Sequence, residues 1–457
     1  MWANCCVYII FLLLGLGSNL PWNVFITATT YFGYRLQHTS YEENFLSWFS
    51  VIFNLTSLAT LVLRTAILRQ QKESKATDAV FFGLCVITGI IALHCFLTMQ
   101  PQIHGKQFFY ITNISIMIIS ISTVYLNDGI LRILANFPPL YTQGMVVGQA
   151  LAGIGVSIFN FVILYVNSKK KALMENEIRV QNENTDALVY FTLVLLMLIF
   201  CIVAFVLLTK MDLFHRYYGN SSEKAKLKQE ESRQAAILEQ TDAHESLLEK
   251  NEPENEKTEF IERQLVAYKL RYHLVTSVVI FLITLAIFPG ITSSIRSVHS
   301  DSKRFFPTYF VPLGFILYNF GDFCGRIVAP WMVIHPAKYL MYISFGRLIF
   351  LPLFMGCNIQ DAQAHKLTHV IFPSDFVVIL FIFFLAFTNG WLCTLALMDY
   401  PEQLNTEKEK EVGGTLMYFF LSSGLCGGSL LSFILQALLQ SNGNYQKFTS
   451  LGYSVVG

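Results

Sequence analysis

The feature that most constrains the fold of this chain is a series of apolar segments, each long enough to cross a lipid bilayer. A helix needs about 20 apolar residues to span the hydrocarbon core, and a scan by length and hydropathy gives about eleven segments. Because every backbone polar group must be hydrogen-bonded inside a bilayer, the pattern predicts an all-α polytopic membrane protein. The approximate bounds are 5–32, 45–68, 78–99, 107–136, 140–166, 186–209, 272–295, 307–334, 338–357, 374–398 and 412–440.

Composition supports this class and argues against several others. The 457 residues are 54% hydrophobic and only 14% charged, with a net charge of +1. A chain this close to neutrality has no overall field to attract nucleic acid, so we expect no nucleic-acid partner. The N-terminal segment lacks the basic region and the cleavage site of a signal peptide, and we interpret it as a retained first span.

The sequence contains no motif typical of an enzyme, a metal site or a cofactor site. The nine cysteines lie in or beside apolar segments without CxxC spacing, which disfavours both a disulfide framework and a zinc site. Phosphate-binding loops, GxSxG and HExxH are all missing from the sequence. His365 and His369 are spaced as HxxxH, but no third ligand follows nearby. We therefore expect no enzyme activity, no metal and no cofactor.

A long polar segment divides the predicted spans into six and five. Residues 210–271 mix charges of both signs with few aromatics, which is typical of a solvated loop. The predicted regions are thus a bundle over 1–209, this loop, a second bundle over 272–440 and a tail over 441–457. Two bundles around a central loop favour a carrier that works by alternating access.

The distribution of Lys and Arg predicts the orientation. More basic residues outside the spans lie on the side shared by the N-terminus and the loop 210–271 than on the opposite side. By the positive-inside rule, that side is cytoplasmic and the tail 441–457 is extracytoplasmic.

Two predicted spans each carry an acid and a base four residues apart. Asp322 and Arg326 lie in the eighth span, and Asp128 and Arg132 lie in the fourth. Residues at i and i+4 share one face of a helix, so each pair can compensate its own charge inside the membrane. Each pair either fixes helix packing or serves a ligand, and the spacing leaves both interpretations open.

Other polar and aromatic residues lie on the same helical faces as these pairs. Phe315 and Asn319 precede Asp322 at helical steps, and Asn127 is adjacent to Asp128. An aromatic ring, an amide, an acid and a guanidinium on one stripe suit a ligand with a ring and several hydroxyl groups.

The first and fifth spans supply the remaining candidates. Asn19 and Trp22 lie at helical steps near Pro21, a residue that we expect to kink the first span. Trp22 could stack on a planar ring or only pack between helices. Gln149 is a polar exception in the fifth span, whose Gly144 and Gly148 predict close helix packing.

Several of these segments together resemble the equilibrative nucleoside transporter family, in order and over nearly the whole chain. The PWN and D-x3-GR elements are the most specific of the matching stretches, and the passage NFPPLYTQGMVVGQ is most similar to fungal-type members. The segments that carry the resemblance are GLGSNLPWNVFITATTYF, YTQGMVVGQALAG, AIFPGITSSI, YNFGDFCGR, GRLIFLPLFMGCN, FTNGWLCTLALMDYPE and GGTLMYFFLSSGLCGGSLLSFIL.

The resemblance implies eleven helices in a major-facilitator-like fold that carries nucleosides, and in some members nucleobases, down their gradient. By position, Asn19 and Trp22 would line the cavity, and Asn127 would replace a glutamine that contacts the base. Asp322 and Arg326 would bind the ribose hydroxyls; Phe315 and Asn319 belong to the same signature.

These residues predict a facilitative carrier of nucleosides such as uridine or adenosine, with Gln149 helping Asn127 to read the base. Asp128 and Arg132 depart from the best-known mammalian pattern and leave a proton-coupled transporter open as an alternative. A membrane receptor that binds nucleoside without moving it is the alternative from another class. We expect a monomer in the bilayer of a plasma membrane or of a vacuolar or endosomal membrane.

Overall fold

A computed structural model describes residues 2–41, 45–67, 76–100, 102–170, 176–219, 262–299, 305–360 and 369–453 of the chain. Almost all of these residues are helical, and the one extended pairing among them joins Ile295 to Ile359 as an isolated antiparallel bridge. The all-α class predicted from hydropathy is therefore confirmed.

Seven helices precede the long polar segment, and we refer to them as the N-bundle. The first helix remains continuous through Pro21, and the break in the chain comes at Ala28 instead of at the proline. The helices of the N-bundle are α1 (Trp2–Thr27), α2 (Thr29–Arg35), α3 (Phe45–Ile67), α4 (Ala76–Thr98), α5 (Gly105–Leu134), α6 (Pro139–Lys170) and α7 (Asn176–Thr209).

A single turn, α8 (Asp212–Phe214), leads into the polar segment, and the helices after it form what we call the C-bundle. Its predicted eighth and ninth segments each contain a short and a longer helical piece. The helices of the C-bundle are α9 (Arg271–Ile287), α10 (Phe305–Thr308), α11 (Phe310–Val328), α12 (Lys338–Gly346), α13 (Phe350–Met355), α14 (Asp375–Asp399) and α15 (Glu407–Tyr453).

Each of the predicted apolar segments contains at least one helix, but they do not all meet a strict criterion for spanning. Within the described residues, nine helical segments are long and apolar enough to cross a membrane. The second and eighth predicted segments are not among these nine. The second contributes only the shorter apolar stretch Trp48–Leu63, and the helix of the eighth, α11, carries the charges of Asp322 and Arg326. The count of eleven spans in a six-plus-five arrangement, and the division into regions built on it, stay predictions.

Part of the predicted organisation falls outside the described residues. This is the case for most of the polar loop predicted at 210–271, since residues 220–261 are not described. It also applies to His365 of the HxxxH pair. The predicted tail is helical as far as Tyr453, where α15 ends.

The outer surface of the bundles is apolar, as a lipid-facing surface requires. On α7, the side chains of Leu196, Phe200 and Leu207 are each more than half exposed. Exposed apolar surface on this scale would cause aggregation in water, whereas hydrocarbon accommodates it without cost. The polar residues at mid-helix positions therefore turn inward, towards the contacts between helices.

The two bundles contact each other along a small number of helix pairs. Helix α6 packs against α11 and α14, while α3 and α5 pack against α15. Within the N-bundle, α1 and α6 form the most extensive contact, and in the C-bundle α11 with α14 and α9 with α15 do so. Helix α6 thus contacts α1 of its own bundle on one side and the C-bundle on the other.

Glycines allow α1 and α6 to approach to backbone contact, as the small-residue spacing predicts. A Cβ atom added at Gly148 would overlap the carbonyl oxygen of Leu12, and one added at Gly15 would overlap that of Met145. Because interhelical attraction in lipid depends on van der Waals contact, such close packing replaces the hydrophobic effect that operates in water.

We expect Gly148→Ala to destabilise the protein and Gly155→Ala, on the same helix, to leave it unchanged or slightly more stable. The added methyl at position 148 meets the α1 backbone, whereas nothing lies within 4 Å of a Cβ at position 155. Overpacking of this kind costs about 1–3 kcal/mol, and alanine favours a helix by about 1 kcal/mol relative to glycine. Thermal unfolding midpoints in detergent measure both variants, and equal midpoints would contradict the close contact.

Candidate functional site

The predicted ion pair on α11 is present. Arg326 donates from Nε to Oδ2 of Asp322 across 2.7 Å, and the two residues retain only 7% and 6% exposure. Each ionised group at mid-bilayer depth costs about 2.5–3.5 kcal/mol on insertion scales, so a single i, i+4 contact leaves several hydrogen-bonding atoms still to be satisfied. Neighbouring helices supply those contacts.

Helix α14 supplies the second contact to the Asp322 carboxylate. A Cβ atom at Gly390 would overlap the carbonyl oxygen of Asp322, so glycine at this position allows α14 to reach the α11 backbone. The preceding residue, Asn389, then donates from Nδ2 to Oδ1 of Asp322 across 2.7 Å. Both oxygens of the carboxylate therefore accept a hydrogen bond, Oδ2 from the guanidinium of Arg326 and Oδ1 from the NH2 group of Asn389.

The guanidinium of Arg326 extends across the boundary between the bundles. Its Nη1 group donates to the carbonyl oxygen of Val146 at 2.8 Å and approaches Oε1 of Gln149 at 3.4 Å, both on α6. Its Nη2 group makes no hydrogen bond to any described residue. Part of the surface of Nη2 also remains accessible, unlike that of fully enclosed polar atoms. One donor of this buried cation is thus available for an additional acceptor.

Gln149 is where the polar residues of four helices meet. Its Nε2 group lies 3.4 Å from Oγ of Ser18 on α1 and 3.4 Å from Oδ1 of Asn127 on α5. Asn19 donates from Nδ2 to the carbonyl oxygen of Gln149 at 3.2 Å. Since the Gln149 side chain also contacts Arg326 of α11, the structure brings the predicted residues Asn19, Asn127 and Gln149 together with the ion pair.

Asn127 also faces the C-bundle. Its Nδ2 group donates to the Thr123 carbonyl of its own helix at 3.1 Å and lies 3.5 Å from the hydroxyl of Tyr418 on α15. Asn127 is buried, with 7% exposure. Three amide side chains and a tyrosine hydroxyl are therefore arranged around one region between the bundles, where they can donate to and accept from a polar ring.

Trp22 packs against another helix on one of its faces. Its ring stacks on Phe53 of α3, with centroids 4.4 Å apart and an interplanar angle of 27°. One face of the indole is therefore occupied inside the N-bundle. The side chain is only half-buried, so the structure keeps Trp22 as a candidate with a single face to offer.

Phe315 and Asn319 lie earlier on α11 than the ion pair and have different surroundings. Asn319 donates from Nδ2 to Oγ of Ser157 at 2.8 Å, and its Oδ1 lies against Gly153 of α6. Phe315 is half-buried and packs against Phe288, with ring centroids 4.9 Å apart. Asn319 thus ties α11 to α6, whereas Phe315 keeps a partly exposed ring.

The second predicted pair, on α5, is also present and contacts the C-bundle. Arg132 forms a salt bridge to Asp128 with Nε and Oδ2 2.9 Å apart, and Asp128 is fully buried. Oδ1 of Asp128 accepts from the hydroxyl of Thr415 on α15 at 2.8 Å. This contact joins α5 of the N-bundle to the first turns of α15 in the C-bundle.

Three residues that connect to Asp322 through hydrogen bonds were not recognised from the sequence. They are Asn389, which contacts the carboxylate; Thr284 of α9, which donates to Asn389; and Arg347, which donates to Thr284. A signal was present for Arg347, a basic residue within the apolar stretch 338–357. Among the described residues, no group of three or more His, Cys, Asp or Glu side chains is placed to hold a metal ion.

Comparison with known proteins identifies related sequences along nearly the whole chain. The family model described as Nucleoside transporter matches residues 113–437. Equilibrative nucleoside transporter 2 of Homo sapiens is 29% identical, covering 95% of this chain and 97% of its own length. Equilibrative nucleoside transporter 3 of Rattus norvegicus is 27% identical over 94% and 88%. Nucleoside transporter FUN26 of Saccharomyces cerevisiae is 25% identical, covering 93% of this chain and 83% of its own length. The resemblance to fungal-type members in particular stays a prediction.

Two solved structures share the fold at low sequence identity. The major facilitator superfamily transporter FucP in the outward conformation aligns with a TM-score of 0.52 and 10% identity, covering 96% of this chain and 98% of that one. The proton:xylose symporter XylE aligns with a TM-score of 0.54 and 8% identity, covering 95% and 88%. The predicted major-facilitator-like fold is therefore confirmed.

We expect Thr415→Val to lower the stability of the protein and Thr415→Ser to preserve it. Valine has the same shape but removes one donor from the buried Asp128 carboxylate, a change that costs about 1–3 kcal/mol. Ser423→Ala, on the same helix, is the control because that hydroxyl donates only within α15, to Phe419. Thermal unfolding in detergent measures the effect, and equal shifts for Thr415→Val and Thr415→Ser would show that the hydroxyl contact contributes nothing.

Proposed function

Because the chain belongs to the nucleoside transporter family, we propose that it carries nucleosides across a membrane, down their gradient, by alternating access between its two bundles. The family is one of transporters and not of enzymes. The helical architecture and its spans make the chain an integral, multi-pass membrane protein. The site for the nucleoside lies between the bundles, around Asp322 and Arg326.

The observation that carries the assignment of the site is the position of Arg326. It is anchored on α11 of the C-bundle, hydrogen-bonds to Val146 and Gln149 of the N-bundle, and retains one donor without a partner among the described residues. A ribose offers vicinal hydroxyls that accept from a guanidinium and donate to a carboxylate. The pair is neutral overall and suits an uncharged, hydroxyl-rich ligand.

The same position explains how binding would influence conformation. A ligand shifts an equilibrium only by the difference between its affinities for the two states. The guanidinium of Arg326 contacts both bundles, so a ribose bound to it would change the energy of the contact between α11 and α6. Rocking of one bundle against the other would then depend on whether the site is occupied.

The base would lie among the amides and the partly exposed rings. Asn127, Gln149 and Asn19 offer donors and acceptors to the edge of the base, while Trp22 and Phe315 offer one ring face or edge each. Asn319, bonded to Ser157, would form part of the wall on the α6 side. Base preference follows from which of these amide hydrogen bonds the ligand replaces.

Purely facilitative transport is the form that the contacts of Asp322 support. Both of its oxygens accept hydrogen bonds from N–H groups, Oδ2 from Arg326 and Oδ1 from Asn389, so the carboxylate is held in place by fixed donors. Asp128 is likewise held by Arg132 and Thr415, and its role is to stabilise the contact between α5 and α15.

We place the N-terminus on the cytoplasmic side of a vacuolar, endosomal or plasma membrane and expect a monomer.

We expect Asp322→Asn and Arg326→Lys each to reduce nucleoside uptake by at least about 30-fold, since disrupting one partner of a buried charged pair costs about 2–5 kcal/mol. Lysine keeps the charge but lacks the planar fork of the guanidinium. Initial rates of labelled uridine and adenosine uptake into proteoliposomes measure the effect. Phe320→Leu, on the exposed side of α11, is the control for a change on this helix. Normal uptake by both charge variants, when folded, would refute the site.

An imposed pH gradient distinguishes the facilitative carrier from its proton-coupled alternative. We expect labelled uridine to equilibrate across the vesicle membrane and no further, with the same final level whether or not the pH differs between the two sides. Accumulation above equilibrium that Asp128→Asn abolishes would establish coupling through Asp128.

Counterflow with unlabelled uridine inside the vesicles tests the receptor alternative, because a protein that binds without transport gives no exchange.

A further inference from the structure

Arg347 is a buried arginine that does not touch the candidate site. It lies in the single 3-10 turn Arg347–Ile349 between α12 and α13 and is 2% exposed. Every hydrogen bond that it makes to the described residues goes to a neutral oxygen: the carbonyls of Ile280 and Leu385 at 3.0 Å, and the hydroxyls of Thr284 at 2.8 Å and Thr388 at 3.1 Å. A guanidinium buried in this way is stabilised further when its hydrogen-bond network reaches a negative charge.

The hydrogen bonds of Arg347 lead to Asp322 in three steps. Arg347 Nη2 donates to Oγ1 of Thr284 at 2.8 Å, and Thr284 lies 2.8 Å from Oδ1 of Asn389. Asn389 Nδ2 lies 2.7 Å from Oδ1 of Asp322. Four helical elements of the C-bundle each contribute one member, namely the turn after α12, α9, α14 and α11.

The direction of every donor in this series is fixed by its two ends. A guanidinium has only N–H groups, so the Thr284 oxygen must accept from Arg347 and the Thr284 proton must go to the amide oxygen of Asn389. The amide then has its NH2 group directed at Asp322, whose carboxylate can only accept. No member can be reversed without placing two donors or two acceptors face to face.

The remaining contacts of Arg347 hold the start of the series in place. Its bonds to Ile280 of α9 and Leu385 of α14 fix the guanidinium relative to the two helices that carry Thr284 and Asn389. The Asp322 carboxylate is then held at Oδ2 by Arg326 and at Oδ1 by this series. Arg326 bonds to the N-bundle and must adjust when the bundles move, whereas the Arg347 series lies wholly in the C-bundle.

We propose that Arg347 is a positioning residue that, through Thr284 and Asn389, fixes the orientation of the Asp322 carboxylate for the ribose hydroxyls while Arg326 exchanges its contacts with α6. Neither Arg347 nor Thr284 touches the nucleoside. The proposal rests on the function proposed above, in which Asp322 binds ribose, and it assigns the sugar selectivity of that site to residues remote from the sugar.

The test compares uridine with 2′,3′-dideoxyuridine, which lacks the hydroxyls that Asp322 would bind, in proteoliposomes containing the full-length protein. Thr284→Val keeps the shape of the side chain and removes the link, so we expect the KM for uridine to rise about tenfold, the effect of losing about one to two hydrogen bonds. The KM for the dideoxy analogue and the maximal rates should change less than about twofold, because neither depends on the orientation of the carboxylate.

Two matched variants separate the hydroxyl link from packing. Thr284→Ser restores the hydroxyl and should restore the KM for uridine to within about threefold of its original value. Ser277→Ala removes a buried hydroxyl on the same helix that donates only to the His273 carbonyl, and should leave both KM values unchanged. Equal changes in both KM values for Thr284→Val, or a loss confined to the maximal rate, would overturn the proposal.

Arg347→Lys tests the first member, since lysine keeps the charge but cannot bind the two helices and Thr284 with the same fork. It should show the same selective rise in KM for uridine. If Thr284→Val and Arg347→Lys both fail to fold while Thr284→Ser folds, the series serves folding and the proposal is wrong. If Asp322→Asn itself raises the two KM values equally, Asp322 does not bind ribose and the proposed site fails. A selective effect of Asp322→Asn without one of Thr284→Val rejects the Arg347 series alone.

Discussion

The free-energy cost of two charges inside an apolar helix determines the arrangement of the helices around α11. Asp322 and Arg326 offset part of that cost between themselves, and the rest is met by contacts from Asn389 on one side and from Val146 and Gln149 on the other. Each of these contacts requires a helix close to α11. Gly390 permits the approach of α14, while α6 presents a backbone carbonyl directly to the guanidinium. The packing of the central helices is thus inseparable from the stabilisation of this pair.

Contacts within the bundles differ in kind from those between them. Inside the N-bundle, α1 and α6 meet at glycines in backbone contact; inside the C-bundle, α11 and α14 do the same. Between the bundles, the described contacts include single polar pairs such as Asn54 with Ser429 and Asp128 with Thr415. Extended close packing resists separation, whereas a few hydrogen bonds of about 0.6 kcal/mol each within a membrane can be exchanged. This difference is consistent with the alternating access proposed above, in which one bundle moves against the other.

Several features of the site were predictable because they are local. The i, i+4 spacing of Asp322 with Arg326 and of Asp128 with Arg132 follows from helical geometry alone, and both pairs are present. The small residues at Gly144 and Gly148 predicted close packing of α6 against another helix in the same way, and the structure shows that this helix is α1. By contrast, the partner of Trp22 is Phe53, and that of Asn319 is Ser157, each on a different helix. Nothing in the spacing along the chain encodes which helices become neighbours.

The sequence by itself determined that the chain is an all-helical membrane protein, which residues share a helical face, and which family it belongs to, because hydropathy, helical period and motif order are properties of the chain. Only the tertiary structure decided that Asn389, Thr284 and Arg347 converge on Asp322, and that Gln149 connects Asn19, Asn127 and Arg326. The physical reason is that these residues are separated by tens to hundreds of positions. Their proximity depends on how the helices pack within each bundle and, for Arg326 with Gln149, on how one bundle packs against the other.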